Sequence, residues 1–186
     1  MKRLFDLFFS IIAIIPIIFL ILFIGIMIKI SSKGPIFYWS ERIGKNNKIF
    51  NMPKFRSMLT HTPLVPSELL IHPDEYLSPV GKFLRRSSLD ELPQFYCVLK
   101  GDMSIVGPRP ALTNQKDLIS LRNNKGINSI LPGITGWAQI NGRDRLSMIE
   151  KVKLEEDYIK RQSIWFDLKI LYKTFFKVLF RDGITH

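Results

Sequence analysis

Two arginines and two adjacent carboxylates fall within the seven positions from Arg85 to Glu91, directly before an apolar helical run. If a helix begins at Ser88, Asp90 lies in its first turn, where free amides and the helix dipole favour an anion or a transferring phosphoryl group. An ionised aspartate there can attack phosphorus, and Glu91, about 100° farther around the helix, can bind a metal ion. The pattern therefore predicts Asp90 and Glu91 as catalytic residues of phosphoryl chemistry.

The same segment also has an explanation that involves no chemistry. Ser88 and Glu91 have the S-x-x-E spacing of a capping box, in which the glutamate side chain accepts a hydrogen bond from the serine amide. Arg85 and Arg86 would then be solvated surface charges. Both interpretations of Glu91 stay open on the residues alone.

Two further motifs could bind phosphate through an arginine. In the Gly-Pro-Arg-Pro motif at residues 107–110, two prolines fix the backbone around Arg109, and its pre-ordered guanidinium suits a diphosphate. A rigid turn with an exposed arginine is the alternative. Residues 132–143 group glycines, amides and Arg143 around a tryptophan, which indicates either a loop that closes over a nucleotide or an ordinary turn.

The common nucleotide and metal fingerprints are absent from the sequence. It contains no G-x-x-x-x-G-K, G-x-G-x-x-G, H-E-x-x-H or C-x-x-C pattern, so a metal bound by thiolates or imidazoles is not expected. A hard divalent cation bound by carboxylates and by substrate phosphates is the predicted cofactor. The single cysteine, Cys97, cannot form an intramolecular disulfide, which suits a reducing compartment.

Charge and hydropathy favour a membrane as partner. Lys plus Arg number 27 against 16 Asp plus Glu, a formal charge of +11, so the expected partners are anions. Much of the apolar content lies in the first thirty residues, and the basic residues form no recognised nucleic-acid-binding motif. Anionic lipids and phosphorylated metabolites are therefore expected partners, and nucleic acid is not.

An apolar segment at residues 7–28 is long enough to cross a bilayer core of about 30 Å. A cleaved signal peptide is not favoured, because no small-x-small pattern follows and the run exceeds the usual apolar length of about 7 to 15 residues. Basic residues flank both ends of this segment, so the positive-inside rule does not indicate which end would lie outside the cytoplasm. Pro16 predicts a kink, and each 12-residue arm, 4–15 and 17–28, would reach only about 18 Å as helix. We expect a re-entrant helix-break-helix with both ends cytoplasmic, and a tilted single span is the alternative.

The other end of the chain predicts an interfacial helix. Apolar residues recur at helical spacing over residues 165–180, while Lys169, Lys173, Lys177 and Arg181 fall four apart along one stripe. A basic stripe beside a phenylalanine-rich face is typical of a helix that lies on anionic lipid. The alternative is an ordinary amphipathic helix whose phenylalanines fill the protein core.

The segments between these two helices predict a compact α/β domain, mainly helical, seated on the re-entrant membrane segment. Strand-compatible runs at 36–43 and 48–56, joined by a turn at 44–47, predict a β-hairpin in which Pro53 is a candidate early end of the second strand. Residues 60–80 are predicted to be irregular because of their prolines. Helices are expected at 81–100, 114–123 and 147–162, with loops at 101–110 and 132–142. The domain boundary is placed between residues 1–30 and 31–186.

Five motifs occur in an order that resembles the small monotopic phosphoglycosyl transferases of the bacterial sugar transferase family. They are KFRSM at 54–58, SLDELPQ at 88–94, LKGDMS at 99–104, VGPRP at 106–110 and the glycine-rich stretch 132–143. The resemblance implies a ping-pong reaction on the cytoplasmic face of the bacterial inner membrane. Asp90 would attack the sugar-proximal phosphorus of a UDP-sugar and release UMP, and undecaprenyl phosphate would then take the sugar-phosphate.

The resemblance also implies roles for other residues. Glu91 and Mg²⁺ would assist Asp90, Arg85 and Arg109 would bind phosphates, and Lys54 and Arg143 are weaker substrate-binding candidates. Asp90, Glu91 and Glu155 are the metal-ligand candidates.

Three positions depart from the family's pattern. Ile15 precedes Pro16 where serine is usual, and Cys97 replaces asparagine. Glu155 stands where aspartate is common, with Asp157 nearby, so either acid could serve the site.

Two other function classes compete with transfer. A membrane-associated phosphatase or pyrophosphatase would use the same acids but release free sugar-phosphate. A non-catalytic basic adaptor would bind anionic lipid through the C-terminal stripe and would tolerate replacement of Asp90 and Glu91.

Overall fold

A computed structural model describes residues 1–63, 72–142 and 145–180. Short 3₁₀ helices connect several of the elements, and one of them, Leu89–Gln94, carries the predicted catalytic pair. The helices and strands are, in chain order, α1 (Lys2–Ser31), β1 (Phe37–Ile43), β2 (Ile49–Phe55), α2 (Pro79–Arg86), α3 (Phe95–Lys100), β3 (Ser104–Val106), β4 (Ala111–Leu112), α4 (Lys116–Asn124), β5 (Gly133–Thr135), α5 (Trp137–Ile140), α6 (Met148–Arg161) and α7 (Ile164–Phe180).

Helix α1 is a continuous helix of 30 residues that contains Pro16. Within the described ranges, it is the one helix with the length and apolar composition needed to cross a bilayer. No break in the helix occurs at Pro16, although a break was expected there. A proline removes one hydrogen bond and can kink a helix, but the turns on both sides keep their own bonds. The middle of α1 is exposed, as at Ile15 (65%) and Phe19 (70%).

The N-terminal end of α1 is attached to the domain by polar contacts. The carboxylate of Asp6 is buried and accepts hydrogen bonds from the Ile105 amide at 3.1 Å and from the Ser104 hydroxyl at 3.0 Å. Arg3 donates to the carbonyls of Val98 and Leu99 in the last turn of α3, where a cation complements the helix dipole. The first two turns of α1 are therefore fixed to β3 and α3.

The C-terminal end of α1 is attached to a different part of the same domain. Ile24 and Ile28 are buried against Phe55 of β2 and Leu84 of α2. Beyond the helix, the guanidinium of Arg56 donates to the carbonyls of residues 32 and 33. Both ends of α1 thus contact one domain, while its middle does not.

The predicted hairpin is confirmed. Strands β1 and β2 pair antiparallel from Phe37 opposite Phe55 to Ile43 opposite Ile49, and β4 adds to the other side of β1. Pro53 does not end β2 early, because β2 forms an edge of this sheet and a proline is tolerated on an edge strand.

Two segments predicted as loops contain regular structure. Strand β3 lies within 101–110, and β5 and α5 lie within 132–142. The two strands pair in parallel, with Ser104 opposite Gly133 and Val106 opposite Thr135. Three-residue strands carry too little periodicity to recognise, and their pairing depends on residues far apart in the chain. A Cβ atom on Gly133 would lie 2.1 Å from the Gly107 amide nitrogen, so this approach requires glycine.

The longer helices agree with the prediction, and α6 begins with a capping box that was not predicted. Ser147 and Glu150 exchange side-chain and backbone hydrogen bonds at its N-terminus. Helix α7 buries Phe166 and Ile170 in the main core, as the core interpretation expected, and exposes Trp165 and Phe175 on another arc. That core also includes residues of β2, α3, β3, α5 and α6.

Candidate active site

Asp90 and Glu91 lie in the first turn of the 3₁₀ helix Leu89–Gln94, as the sequence predicted for a helix start. Ser88 precedes this helix with a left-handed backbone (φ 56°) and makes no side-chain cap. The predicted Ser88–Glu91 capping box is therefore wrong. The carboxylate of Glu91 turns instead to two cations, and Oε1 lies 2.8 Å from Lys54 Nζ and 3.0 Å from Arg109 Nη2. A charged partner offers a stronger hydrogen bond than a serine amide does.

Lys54 bridges the two carboxylates. It extends from β2, and its ammonium lies 3.9 Å from Asp90 Oδ2 as well as 2.8 Å from Glu91 Oε1. Its side chain is only 17% exposed, so water screens these interactions weakly. Lys54 was a weaker candidate from the sequence, but the structure places it in contact with both predicted catalytic residues.

Arg109 comes from the loop that follows β3. That loop is fixed on β5, since the Gly107 amide donates to the Thr135 carbonyl at 2.9 Å and the Gly133 amide donates to the Pro108 carbonyl at 2.8 Å. The guanidinium is 30% exposed, so it contacts Glu91 while part of it faces solvent. The parallel strand pair therefore orders the loop that carries Arg109, and Glu91 holds the guanidinium.

Arg85, the third cationic side chain near the pair, lies in the last turn of α2. Its Nε donates to the hydroxyl of Ser57 at 3.0 Å, which orients the guanidinium. Burial lowers the pKa of Arg85, and the negative charge of Asp90 opposes that change. Three cationic side chains from three different elements thus surround the two carboxylates.

The environment moves the pKa values of the two carboxylates in opposite directions. Burial is the largest influence on Asp90 and raises its pKa; Glu91 adds to this, while Lys54 and then the two arginines oppose it. Burial is also the largest single influence on Glu91, but Arg109 and Lys54 together hold its pKa well below the usual range. Glu91 is therefore the fixed anion, and Asp90 is the more basic carboxylate of the pair. Such a division is typical of acids with different catalytic roles.

Glu155 does not join this pair. Both of its carboxylate oxygens are engaged by Arg122, with Nε at 2.8 Å from Oε2, and the two side chains are buried together. Asp157 is exposed and pairs with Arg161 at 3.0 Å. Of the two acids, only Glu155 faces inward, where it and Arg109 line a cavity of about 20 Å³. No group of three Asp, Glu, His or Cys side chains that could bind a metal occurs in the described part of the chain.

Two other predictions concern the stretch 132–143 and the segment 60–80. The tryptophan of the first, Trp137, packs against Phe166 with ring centroids 5.0 Å apart, so its ring belongs to the contact between α5 and α7. Arg143 lies outside the described residues, as do residues 64–71 of the predicted irregular segment.

A second cavity, of about 270 Å³, lies beside Glu91. The 3₁₀ helix, β5 and α7 enclose it, and Lys177 of α7 is part of its wall. The sequence did not predict this cavity, because its walls come from three segments separated by more than thirty residues each and no local spacing relates them.

Comparison with known proteins assigns the chain to a family. The sequence profile of the family described as bacterial sugar transferase matches residues 1–181. The chain belongs to the bacterial sugar transferase family. The matched residues include α1, the carboxylate pair and the three cationic side chains.

The relatives of this chain include one protein of similar length and others that are much longer. The uncharacterized sugar transferase EpsL of Bacillus subtilis is 40% identical over 185 residues, which cover 99% of this chain and 90% of EpsL. The UDP-glucose:undecaprenyl-phosphate glucose-1-phosphate transferase of Escherichia coli is 43% identical over 161 residues, 83% of this chain and 35% of that protein. The undecaprenyl-phosphate galactose phosphotransferase of Salmonella typhimurium is 37% identical, over 98% of this chain and 41% of that protein. The chain thus spans well under half the length of these last two relatives.

Proposed function

We propose that this protein transfers a sugar-1-phosphate from a UDP-sugar to undecaprenyl phosphate. The observation that carries the proposal is the pair Asp90 and Glu91, in which a basic carboxylate adjoins an anion fixed by Lys54 and Arg109. The relatives from Escherichia coli and Salmonella typhimurium bear the names of undecaprenyl-phosphate sugar-phosphate transferases. We place the reaction at the first membrane step of surface glycan assembly.

The reaction has two displacements at one phosphorus atom. A carboxylate oxygen of Asp90 forms a bond to the sugar-proximal phosphorus of the donor, the phosphoanhydride bond breaks, and UMP leaves with the electron pair. A phosphate oxygen of the acceptor then attacks the same phosphorus, and the bond to Asp90 breaks, which restores the carboxylate. The higher pKa of Asp90 makes it the better nucleophile of the pair once it is ionised.

The cations of the site bind the donor and neutralise its charge. A diphosphate would otherwise be repelled by two adjacent carboxylates, and phosphoryl transfer depends mainly on positioning and on electrostatic stabilisation. Arg109, which is partly exposed, can reach donor phosphates while Glu91 holds it in place. Lys54 keeps an ammonium close to Asp90. Arg85 adds a third positive charge from α2.

Magnesium fits the donor chemistry of the pair. Mg²⁺ usually binds one or two carboxylates together with substrate phosphates and water, so Asp90 and Glu91 can hold it without a third acid. Glu155 is engaged by Arg122 and is not needed for this arrangement. When bound, the ion would supply Lewis-acid neutralisation of the diphosphate.

The membrane arrangement is proposed to be monotopic, with the domain on the cytoplasmic face of the inner membrane. Both ends of α1 contact the same domain, and this supports a topology in which residues 2 and 33 lie on one side of the bilayer. Helix α7 would lie on the surface through its exposed aromatic face and its lysines. A water-soluble donor and a lipid acceptor then meet at one interface.

Cysteine labelling tests this topology. A Cys97→Ala background removes the native thiol, and single cysteines replace Lys2 and Lys33. A membrane-impermeant reagent applied to sealed inverted vesicles should label both positions. Labelling of the two positions from opposite faces would show a spanning helix.

A covalent-labelling experiment tests the reaction. Wild-type protein given a UDP-sugar labelled in the sugar should retain label on the protein without acceptor, and Asp90→Asn should retain none and transfer none. Asp157→Asn, which removes an exposed aspartate paired with Arg161, is the matched control and should behave like wild type. Release of free sugar-phosphate without lipid product would indicate a phosphatase. Absence of both label and product from the wild type, with the biological function kept in Asp90→Asn, would indicate an adaptor.

A further inference from the structure

The proposed chemistry of the carboxylate pair assigns no ligand to the cavity of about 270 Å³ beside Glu91. Its walls include Leu92 and Phe95 next to the carboxylate pair, and Ile134 and Val178 across from them. Its volume is at the lower end of pockets that bind small molecules. It can therefore take one end of a lipid but not a whole polyprenyl chain.

The chemistry of the cavity wall distinguishes between the two substrates. A UDP-sugar presents hydroxyls, a pyrimidine and a diphosphate, and burying such groups against aliphatic and aromatic side chains without partners costs free energy. The isoprene units of a polyprenyl phosphate carry no polar group, and their burial against these side chains is favourable. The cavity thus suits the hydrocarbon of the acceptor rather than the donor.

Polar groups occur where the head of such a lipid would need them. Lys177 contributes to the cavity wall on α7, and Glu91 contributes on the side of the reacting pair. An ammonium attracts a phosphate monoester and can donate three hydrogen bonds to it. Thr174 and Thr135 also line the cavity, and their hydroxyls share a hydrogen bond of 2.7 Å. This hydrogen bond joins α7 to β5 at the cavity wall.

The cavity also borders an exposed apolar part of α7. Val178 lines the cavity and is itself 44% exposed, and Phe175, three positions earlier on the same side of the helix, is 64% exposed. A hydrocarbon chain that leaves the cavity past Val178 can therefore contact an exposed aromatic side chain. This exposed part is the face by which α7 would contact the bilayer.

We propose that this cavity binds the first isoprene units of the polyprenyl phosphate acceptor and that Lys177 binds its phosphate. The inference rests on the proposed function and adds to it the place from which the acceptor attacks. An acceptor phosphate oxygen forms the new bond to phosphorus, the bond from phosphorus to Asp90 breaks, and the aspartate leaves as a carboxylate. Lys177 neutralises the attacking phosphate and takes no part in the first displacement.

Two substitutions test the assignment separately. Lys177→Ala removes the proposed phosphate contact, and Val178→Trp fills the cavity from its open side. Lys169→Ala is the control for Lys177→Ala, because it removes the same charge from an exposed position of the same helix. Phe175→Trp is the control for Val178→Trp, because it enlarges an exposed residue of that helix. The two controls measure the effect of a general change in membrane contact. The kinetics of undecaprenyl phosphate and of the UDP-sugar are measured separately in detergent micelles, together with covalent labelling from the UDP-sugar alone.

The expected result is selective for the acceptor. Both test variants should lower kcat/KM for undecaprenyl phosphate at least tenfold relative to their controls, while the KM for the UDP-sugar and the acceptor-free labelling stay within twofold of wild type. Retained labelling also shows that the variants are folded. If Val178→Trp loses labelling, Val178→Phe replaces it.

Two results would overturn the assignment. A raised KM for the UDP-sugar with unchanged acceptor kinetics would assign the cavity to the donor. If both test variants have the same kcat/KM for undecaprenyl phosphate and the same KM for the UDP-sugar as their controls, neither substrate binds in the cavity. Failure of the wild-type protein to form any lipid-linked product is a separate result, which would refute the proposed function itself.

Discussion

The substitution Glu91→Gln tests the electrostatic design of the site most directly. It keeps the shape of the side chain but removes the charge that accepts hydrogen bonds from Lys54 at 2.8 Å and from Arg109 at 3.0 Å. Hydrogen bonds that involve charged groups contribute about 1.5–3 kcal/mol each, and in the variant both donors keep their charge, so loss of the acceptor charge alone should cost about 2–3 kcal/mol over the two bonds. If that loss falls on the transition state, kcat/KM decreases about 30- to 150-fold.

The pH dependence of the same variant has a defined sign. Burial raises the pKa of Asp90 most, Lys54 lowers it, and the charge of Glu91 raises it further. Removing that charge therefore lowers the pKa of Asp90. Because Asp90 reacts as an ionised nucleophile, activity is lost as the pH falls through its pKa, and the acid limb of kcat/KM should move to lower pH in Glu91→Gln. In Lys54→Met the positive charge that lowers the pKa of Asp90 is absent, so this pKa rises and the acid limb of kcat/KM should move to higher pH.

The assay is UMP release from the UDP-sugar in the presence of acceptor, measured from about pH 5 to 9 for each variant. Glu156→Gln is the matched control, because Glu156 also accepts a hydrogen bond from a lysine, Lys160, at 2.8 Å but lies away from the site on α6. It should leave both kcat/KM and the pH profile unchanged. Shifts of the acid limb in the same direction for Glu91→Gln and Lys54→Met would refute the reasoning, as would a loss below threefold in Glu91→Gln.

Three further predictions concern other parts of the molecule. Asp6→Asn weakens the buried hydrogen bond to the Ile105 amide and should lower stability by about 1–3 kcal/mol, seen as a lower Tm in detergent; an unchanged Tm would contradict the attachment of α1. Gly133→Ala places a Cβ atom 2.1 Å from the Gly107 amide nitrogen and should abolish transfer by displacing the loop of Arg109, so full activity would argue against this loop geometry. A chelator should abolish UMP release, and added Mg²⁺ should restore it; undiminished turnover in the chelator would exclude a required divalent ion.

The regular elements were predictable where the local pattern was long. The 3.6-residue periodicity of α6 and α7 and the alternation around the asparagine turn of the hairpin are local signals, and the structure confirms them. The strands β3 and β5 were missed because three residues carry no period. Their pairing is a contact between segments separated by almost thirty residues, and spacing within either segment does not reveal it.

The candidate site was predictable as a set of residue types but not as a geometry. Asp90 and Glu91 were singled out as neighbours in one helical turn, and Arg109 as a guanidinium between two prolines. The capping-box interpretation of Glu91 was wrong, because the competing partners come from elsewhere in the chain. Glu155 was grouped with the pair, yet its carboxylate lies with Arg122.

The sequence by itself indicated which residue types could perform phosphoryl chemistry and which segment is apolar enough to enter a membrane. Adjacent carboxylates, nearby arginines and a long apolar segment are properties of residue type and short-range order, and they do not depend on the fold. Tertiary structure decided which carboxylate is the fixed anion, because charge interactions depend on distance and burial, and Lys54 lies 37 positions from Glu91 in the chain. It also decided that both ends of α1 contact one domain and that a cavity opens beside Glu91, since packing between distant segments creates both.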